Sequence, residues 1–288
     1  MKTKLVYVLI CDDSNYYYEM VAMSLYSFRL YHPDSQVEVV MDNDTYQYIS
    51  GKKESFLSDV TPRVIDIPSD YNVVQRSRYL KTNLRQFVEG DFLYVDCDTI
   101  ICCSLEEIDR ELADMAMVLD LNRACPLRQS RVMELNRQAG YSPNEDEPYY
   151  NGGVLYTKDT PAARQFFVTW FQNWQQCLER GISKDQPALR ETNTSLGYPV
   201  HELPAAWNCQ LGGDNIRYLY KAKILHYLNV LDFGKVKKGI LQNIRHKGHV
   251  SGGLSVMLRV PRLMFYLIDL KHFIRDCRYR IRNAVRGY

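Results

Sequence analysis

The chain has 288 residues, 46% of them hydrophobic and 24% charged, which is enough apolar material for one large folded core and too much for a disordered chain. Its formal net charge of +2 hides an asymmetry: eight Lys/Arg against two Asp give residues 255–288 a net +6, leaving −4 on residues 1–254. No run reaches the ~20 apolar residues of a membrane span, and the opening MKTKLVYVLICDD has too short an apolar stretch for a signal peptide.

Residues 5–11 form a continuous apolar run, the mark of a strand buried on both faces. Asp12-Asp13-Ser14-Asn15 breaks it, and helical spacing over 16–31 places Val21, Leu25 and Phe28 on one face. Strands are expected at 37–41, at 64–67 before Pro68, at 92–95 and at 115–119, with a helix over 76–88 striped by Leu80, Leu84, Phe87 and Val88. Beyond residue 140 the pattern changes. YYNGGVLYT at 149–157 reads as a strand whose glycine pair marks a close approach to the backbone. A long helix over 160–180 carries Phe166, Phe167, Trp170, Phe171 and Trp174, and 223–228 reads as a short strand. Strands alternating with helices predict an α/β fold with a mostly parallel sheet flanked by helices. The division expected is a catalytic domain at 1–250 and a basic tail at 251–288. Eight cysteines, none in a CxxC pair and most within apolar runs, read as free thiols of a reducing compartment.

In parallel sheets ligands bind beyond the carboxyl ends of the strands. The polar residues that follow the strands are Asp12, Asp96, Asp98 and Asp120. FLYVDCDTI is the most informative segment: an apolar strand ends in two carboxylates one residue apart, and positions i and i+2 share a side. Oxygen ligands of that kind suit Mn²⁺ or Mg²⁺. GxGxxG is absent, as is GxxxxGK followed by Ser or Thr, so the dinucleotide-binding and P-loop readings lose their main support.

Seven segments in order, from ICDDSNYYYEMVAMSLYSFRLYHPDSQVEVVMDN through RYLKTNLRQF, LYVDCDTI, YYNGGVLYTKDT, KDQPAL and LPAAWN to ILHY, resemble glycosyltransferase family 8. That family includes the glycogenins and the bacterial lipooligosaccharide galactosyltransferases. The resemblance implies a GT-A nucleotide-diphospho-sugar transferase fold, a UDP-sugar donor, Mn²⁺ and retention of anomeric configuration. It puts the metal ligands on Asp96, Asp98 and His226. It puts the base-binding loop on Ile10, Cys11, Asp12 and the Asn15-Tyr16 pair, with Ser14 as an insertion relative to the family. Asn151, Gly152 and Gly153 match residues that approach the donor sugar, Asp120 a carboxylate for sugar hydroxyls, and Asp185-Gln186 the pair beneath the anomeric carbon. Arg78 and Lys81, on the helix before the two carboxylates, read either as phosphate-neutralising groups, Arg78 first, or as a solvated helix face. The chain departs from the family after its histidine, where HYLNVLDFGKVKKG replaces HxxGxxKPW. Lys235, Lys237 and Lys238 are the candidates for the phosphate-gripping lysine.

The acceptor expected is a lipid-linked or cell-surface glycan. Along the tail Leu263, Leu267, Leu270, Ile274 and Ile281 fall largely on one helical face, with Arg275, Arg278 and Arg282 outside it. A basic amphipathic helix reads as a binder of anionic membrane surfaces, so a cytoplasmic enzyme held at the inner face of the membrane is expected. No nucleic-acid motif is present. Two other readings stay open: a catalytically inert family member serving as a membrane-associated binding protein, and a nucleotidyltransferase.

Overall fold

A computed structural model describes residues 1–53, 55–122, 130–210 and 221–227. In chain order it contains β1 (Lys4–Leu9), α1 (Tyr17–Arg29), β2 (Val37–Met41), α2 (Asn43–Ser50), β3 (Thr61–Val64), α3 (Val73–Thr82), α4 (Leu84–Phe87), β4 (Phe92–Val95), β5 (Thr99–Ile101), β6 (Met115–Leu119), α5 (Ser130–Gln138), β7 (Tyr150–Thr157), α6 (Pro161–Glu179), α7 (Gln186–Ser195), β8 (Val200–Glu202), β9 (Cys209–Gln210) and β10 (Ile224–His226).

The unbroken apolar run of β1 is explained by what covers it. Leu5, Tyr7 and Leu9 face one core with Val21, Leu25 and Phe28 of α1; Val6, Val8 and Ile10 face a second with Leu80, Phe166 and Trp170. Alternate residues pack to opposite sides, so no position is free to be polar. β1 lies inside a seven-stranded sheet of order β3-β2-β1-β4-β7-β6-β8. β2 and β4 pair with it in parallel, as do β3 with β2 and β8 with β6. β7 alone runs antiparallel, to both β4 and β6. A second sheet, β5-β10-β9, packs into the α1 side through Ile100, Ile101, Cys209, Ile224 and Leu225.

Four expected boundaries move. β1 leaves its ladder at Leu9, and Cys11 instead donates its amide to Thr45 Oγ1 (3.2 Å). The third strand is Thr61–Val64 rather than 64–67, because register with β2 pairs Glu38 with Thr61 and Met41 with Val64. It is an edge strand, where Pro62 is tolerated; Ile65 and Ile67 pack on the second core just past it. The helix expected at 76–88 begins at Val73, behind a capping box of Asn72 and Gln75, and is interrupted at Asn83. The strand expected at 223–228 is Ile224–His226.

The glycine pair of β7 marks a bulge. Met117 pairs with Leu155 but the next residue, Val118, pairs with Asn151, so Gly152, Gly153 and Val154 swing out of the β6 ladder. Among the described residues no helix is long and apolar enough to cross a membrane, and Cys11, Cys97, Cys102, Cys103, Cys177 and Cys209 are free thiols. The tail expected to bind membranes, and Lys235, Lys237 and Lys238, lie outside the described residues.

Candidate active site

At the carboxyl end of β4 the chain turns through Asp96-Cys97-Asp98 into β5. Cys97 is buried, its thiol donating to the Val8 carbonyl (3.2 Å), and together with Asp96 and Asp98 it lines a cleft of about 430 Å³. Backbone bonds hold the turn from both sides: Asp96 N–H donates to Gly153 O of β7 (2.8 Å), and Tyr227 N–H after β10 donates to Asp98 O (3.1 Å). Thr99 Oγ1 closes it by donating to Asp96 O (2.8 Å).

β10 brings His226 opposite Thr99, and the ring enters the cleft almost fully buried. Its Nε2 lies 3.1 Å from Asp98 Oδ1 and 3.8 Å from Asp96 Oδ2. One ligand atom from each of Asp96, Asp98 and His226 falls within 4.8 Å of the others, a spacing that one cation with bonds of ~2–2.5 Å can bridge. Two carboxylates and an imidazole form a donor set suited to a divalent cation.

α3 supplies opposing charge. Arg78 and Lys81, one turn apart, share a face; Lys81 Nζ sits 3.1 Å from Asp96 Oδ1 and 3.7 Å from Asp185 Oδ2, and Arg78 Nε 3.0 Å from Asp185 Oδ1. Burial alone would raise the Asp96 carboxyl. Lys81, His226 and Arg78 overcome it, with a hydrogen bond from Tyr94, and hold the group below its ordinary value. Burial likewise pushes the His226 imidazole down, and Asp98 and Asp96 more than reverse it. Asp185 pushes the Arg78 guanidinium up.

Asp185 and Gln186 open α7, and α6 fixes them there. Thr160 caps α6, whose fully buried Trp170 and Trp174 donate their indole N–H groups to Asp185 O (3.2 Å) and Ser183 O (3.1 Å). Gln186 Nε2 donates to Tyr150 O (3.2 Å), tying α7 to the start of β7. Each indole thus anchors the loop before α7 while filling the second core, a double use of a large apolar ring with one polar handle.

Ile10, Arg78, Asp96, Asp98, Asn151, Gly152, Gly153, Asp185, Gln186 and His226 line one cleft. Asp120 is not in its lining; its carboxylate is reached from the cleft through Asn151 Nδ2 (2.9 Å). Cys11 is buried beneath, and Asp12 accepts from Ser14 N, Ser14 Oγ and Asn15 Nδ2, closing its own turn. Tyr16 precedes α1 outside the lining, and Tyr17 lines the cleft instead. The structure adds Tyr94 and Lys184 to the lining, and Asn208 behind it. In the sequence Asn208 is only the last letter of LPAAWN.

No protein-family model matches the sequence, and no curated protein matches it. Solved structures do match. The galactosyltransferase LgtC in complex with donor and acceptor sugar analogs superposes with a TM-score of 0.53 at 18% identity, over 78% of this chain and 87% of that one. An LgtC variant with glutamate for an active-site glutamine gives 0.55 at 17% identity over the same shares. Mouse xyloside xylosyltransferase 1, without ligand, gives 0.53 at 14% identity over 79% of this chain and 98% of that one. The chain has the GT-A fold of these glycosyltransferases, a mostly parallel sheet flanked by helices, as its ordered motifs imply.

Proposed function

We propose that the protein is a retaining glycosyltransferase that moves a hexose from a UDP-sugar to a hydroxyl of a glycan acceptor with the aid of Mn²⁺. The observation that carries this reading is the convergence of Asp96, Asp98 and His226 in a cleft also lined by Arg78, Lys81, Asp185 and Gln186. Asp96, Asp98 and His226 are the residues to hold the cation. A bound divalent ion supplies Lewis-acid stabilisation of the charge that grows on a leaving diphosphate, worth several kcal/mol.

The chain's own residues do the rest. Arg78 and Lys81 offer two positive charges beside the carboxylates, suited to the same diphosphate. Gly152 and Gly153 leave space in which a sugar approaches the β7 backbone. Gln186, held through its amide nitrogen, has a carbonyl dipole to set against an oxocarbenium-like transition state. That a structural neighbour is an active-site glutamine variant supports this assignment. Ile10 and Tyr17 form the apolar wall suited to the nucleobase. The lipid-linked or cell-surface acceptor, and anchoring of a cytoplasmic enzyme to an anionic leaflet, rest on the +6 charge of residues 255–288.

The test is release of UDP from a panel of UDP-sugars with and without Mn²⁺, for the full chain and for Asp98→Ala. Metal-stimulated release that Asp98→Ala abolishes is expected. Release that is indifferent to both metal and substitution sinks the reading. Product NMR should show an α-linkage from an α-linked donor; a β-linkage overturns retention.

A further inference from the structure

Behind the cleft a chain of buried amides leads to His226. Asn208 ends the short turn Ala205–Asn208 and is fully buried. His226 Nδ1 lies 3.0 Å from Asn208 Oδ1, and Asn208 Nδ2 lies 3.0 Å from Asn151 Oδ1. Asn151 Oδ1 also meets Gly153 N–H (2.9 Å), and Asn151 Nδ2 meets Asp120 Oδ1 (2.9 Å).

The two ends of this chain have no freedom. A backbone N–H only donates and a carboxylate only accepts. Gly153 therefore requires the Asn151 oxygen to face it, and Asp120 requires the Asn151 nitrogen, so both ends fix the same amide orientation. The Asn151 oxygen in turn requires the Asn208 nitrogen, which directs the Asn208 oxygen at His226. An oxygen there requires a hydrogen on Nδ1. When the ring is neutral its lone pair is then on Nε2, the nitrogen that faces Asp98 and Asp96. Released from Asn208, the neutral ring is free to carry its hydrogen on Nε2, where Asp98 accepts it and the lone pair is lost to a ligand.

We propose that Asn208 is a positioning residue that, through Asn151, Gly153 and Asp120, locks His226 in the Nδ1–H tautomer and so presents Nε2 to a divalent cation. It rests on the reading of Asp96, Asp98 and His226 as a cation site, and adds the residue that orients the third ligand. Partners of this kind are worth 10–100-fold in metal affinity where they have been removed.

The first measurement needs no cation and no substitution. In the metal-free full chain labelled with ¹⁵N-histidine, long-range ¹H–¹⁵N correlations of the His226 ring are recorded at a pH above its titration. The ring is assigned through bonds from its own Cα. A protonated Nδ1 and a bare Nε2 are expected, and a protonated Nε2 overturns the proposal. The second measurement is Mn²⁺ binding, read from the electron paramagnetic resonance of free Mn²⁺. Asn208→Leu removes both hydrogen bonds at nearly constant volume, and should mix the tautomers and lower affinity 10–100-fold. Asn208→Asp keeps an acceptor for Nδ1–H and should keep the tautomer that the leucine loses. A purely structural role reverses that order, since Asp sets an oxygen against Asn151 Oδ1 and Leu does not. A folded Asn208→Leu protein with unchanged tautomer and affinity overturns the proposal; if that variant does not fold, the wild-type spectrum decides. Wild-type protein that shows Nδ1–H yet ignores Mn²⁺ sinks the cation reading and leaves the amide chain standing. Protein that binds Mn²⁺ with Nε2 protonated beforehand does the converse.

Discussion

The two ends of the cleft are built on different principles. At the carboxylate end the partners come from far along the chain: Asn208 reaches Asn151 57 residues away and His226 18 away, and Asn151 reaches Asp120 across 31. Lys81, Asp185, Asn151, Asn208 and His226 are all buried there. At the other end the loop after β1 is closed by neighbours: Asp12 binds Ser14 and Asn15, and Asn15 Oδ1 accepts from Tyr17 N–H (3.2 Å). Tyr16 and Tyr17 remain 40% and 42% exposed. Long-range buried networks are coupled, so one change is felt by every member. Short-range loops leave each side chain its own contribution. The carboxylate end should therefore respond to substitution as a unit, with folding and metal binding moving together, and the loop end one residue at a time.

The hardest blow to that unit is a methyl group. A Cβ on Gly153 falls 2.8 Å from both Asp96 Oδ2 and His226 Nδ1, and closer still to His226 Cε1. Neither ring nor carboxylate has room to yield, because Asn208 holds one and Lys81 and Tyr94 the other. Gly153→Ala should cost the several kcal/mol that a cation contributes, a loss of at least about 10³-fold in metal-stimulated kcat, and should also lower Tm. Gly152→Ala is the control. Its Cβ meets Lys81 Nζ at 3.4 Å and Cε at 3.5 Å, the far end of a flexible side chain, so a loss of no more than about tenfold, ~1.4 kcal/mol, is expected. Equal losses in the two variants would show that β7 tolerates no side chain anywhere in the bulge, and the comparison would fail.

A second buried network, remote from the cleft, tests whether long-range burial by itself couples stability to the site. Glu38 of β2 is nearly fully buried between Lys4 Nζ (2.6 Å) and Arg63 Nε (2.8 Å). Burial pushes its carboxyl up, but the bonds from Arg63 and Lys4 outweigh that and leave it below its ordinary value. A folded-state value below the unfolded one gives stability that is present above the unfolded pKa of about 4.3 and is lost as pH falls through the folded value. Glu38→Gln should cost roughly 1–3 kcal/mol at neutral pH, since Arg63 is partly exposed and the pair is only half desolvated. The difference from wild type should shrink toward zero in acid, read by urea unfolding at a series of pH values. Mn²⁺ affinity at neutral pH should not move. If it falls alongside stability, the network behind His226 is not a unit distinct from the rest of the sheet.

The sequence carries the carboxylate end unevenly. Asp96 and Asp98 are legible because an apolar strand has no other use for two carboxylates, and Gly152-Gly153 because glycine inside a strand needs a reason. β5 and β9 are not legible: with three and two residues they have no period to detect, and they exist only because β10 pairs with both. α2 is hidden because its eight residues bury only Thr45 and Ile49. The antiparallel course of β7 is invisible too, since a strand buried on both faces reads alike in either direction. Asn208 shows the deepest limit. Its value lies in two hydrogen bonds to residues that folding, not spacing, brings near.

The finest distinction separates two adjacent tyrosines of nearly equal exposure, so placement rather than burial must decide between them. Tyr17 lines the cleft with Val8 and Ile10, and Tyr16 does not. An aromatic face against a base is worth about 1–3 kcal/mol; a half-exposed ring belongs at the low end of that range. Tyr17→Ala should thus raise KM for a UDP-sugar about tenfold, ~1.4 kcal/mol. The loss should leave kcat alone, because a contact to the base is the same in ground and transition states. Tyr17→Phe should keep the wild-type KM, since the ring and not the hydroxyl makes the contact. Tyr16→Ala should change KM less than about threefold, and both alanine variants should unfold within ~0.5 kcal/mol of wild type, as exposed positions do. If Tyr16→Ala carries the KM loss, the base is gripped where the family resemblance puts it and the inserted Ser14 shifts nothing. If Tyr17→Ala lowers kcat instead, this end of the cleft is coupled to the carboxylate end, and the contrast between a network and a set of independent contacts is wrong.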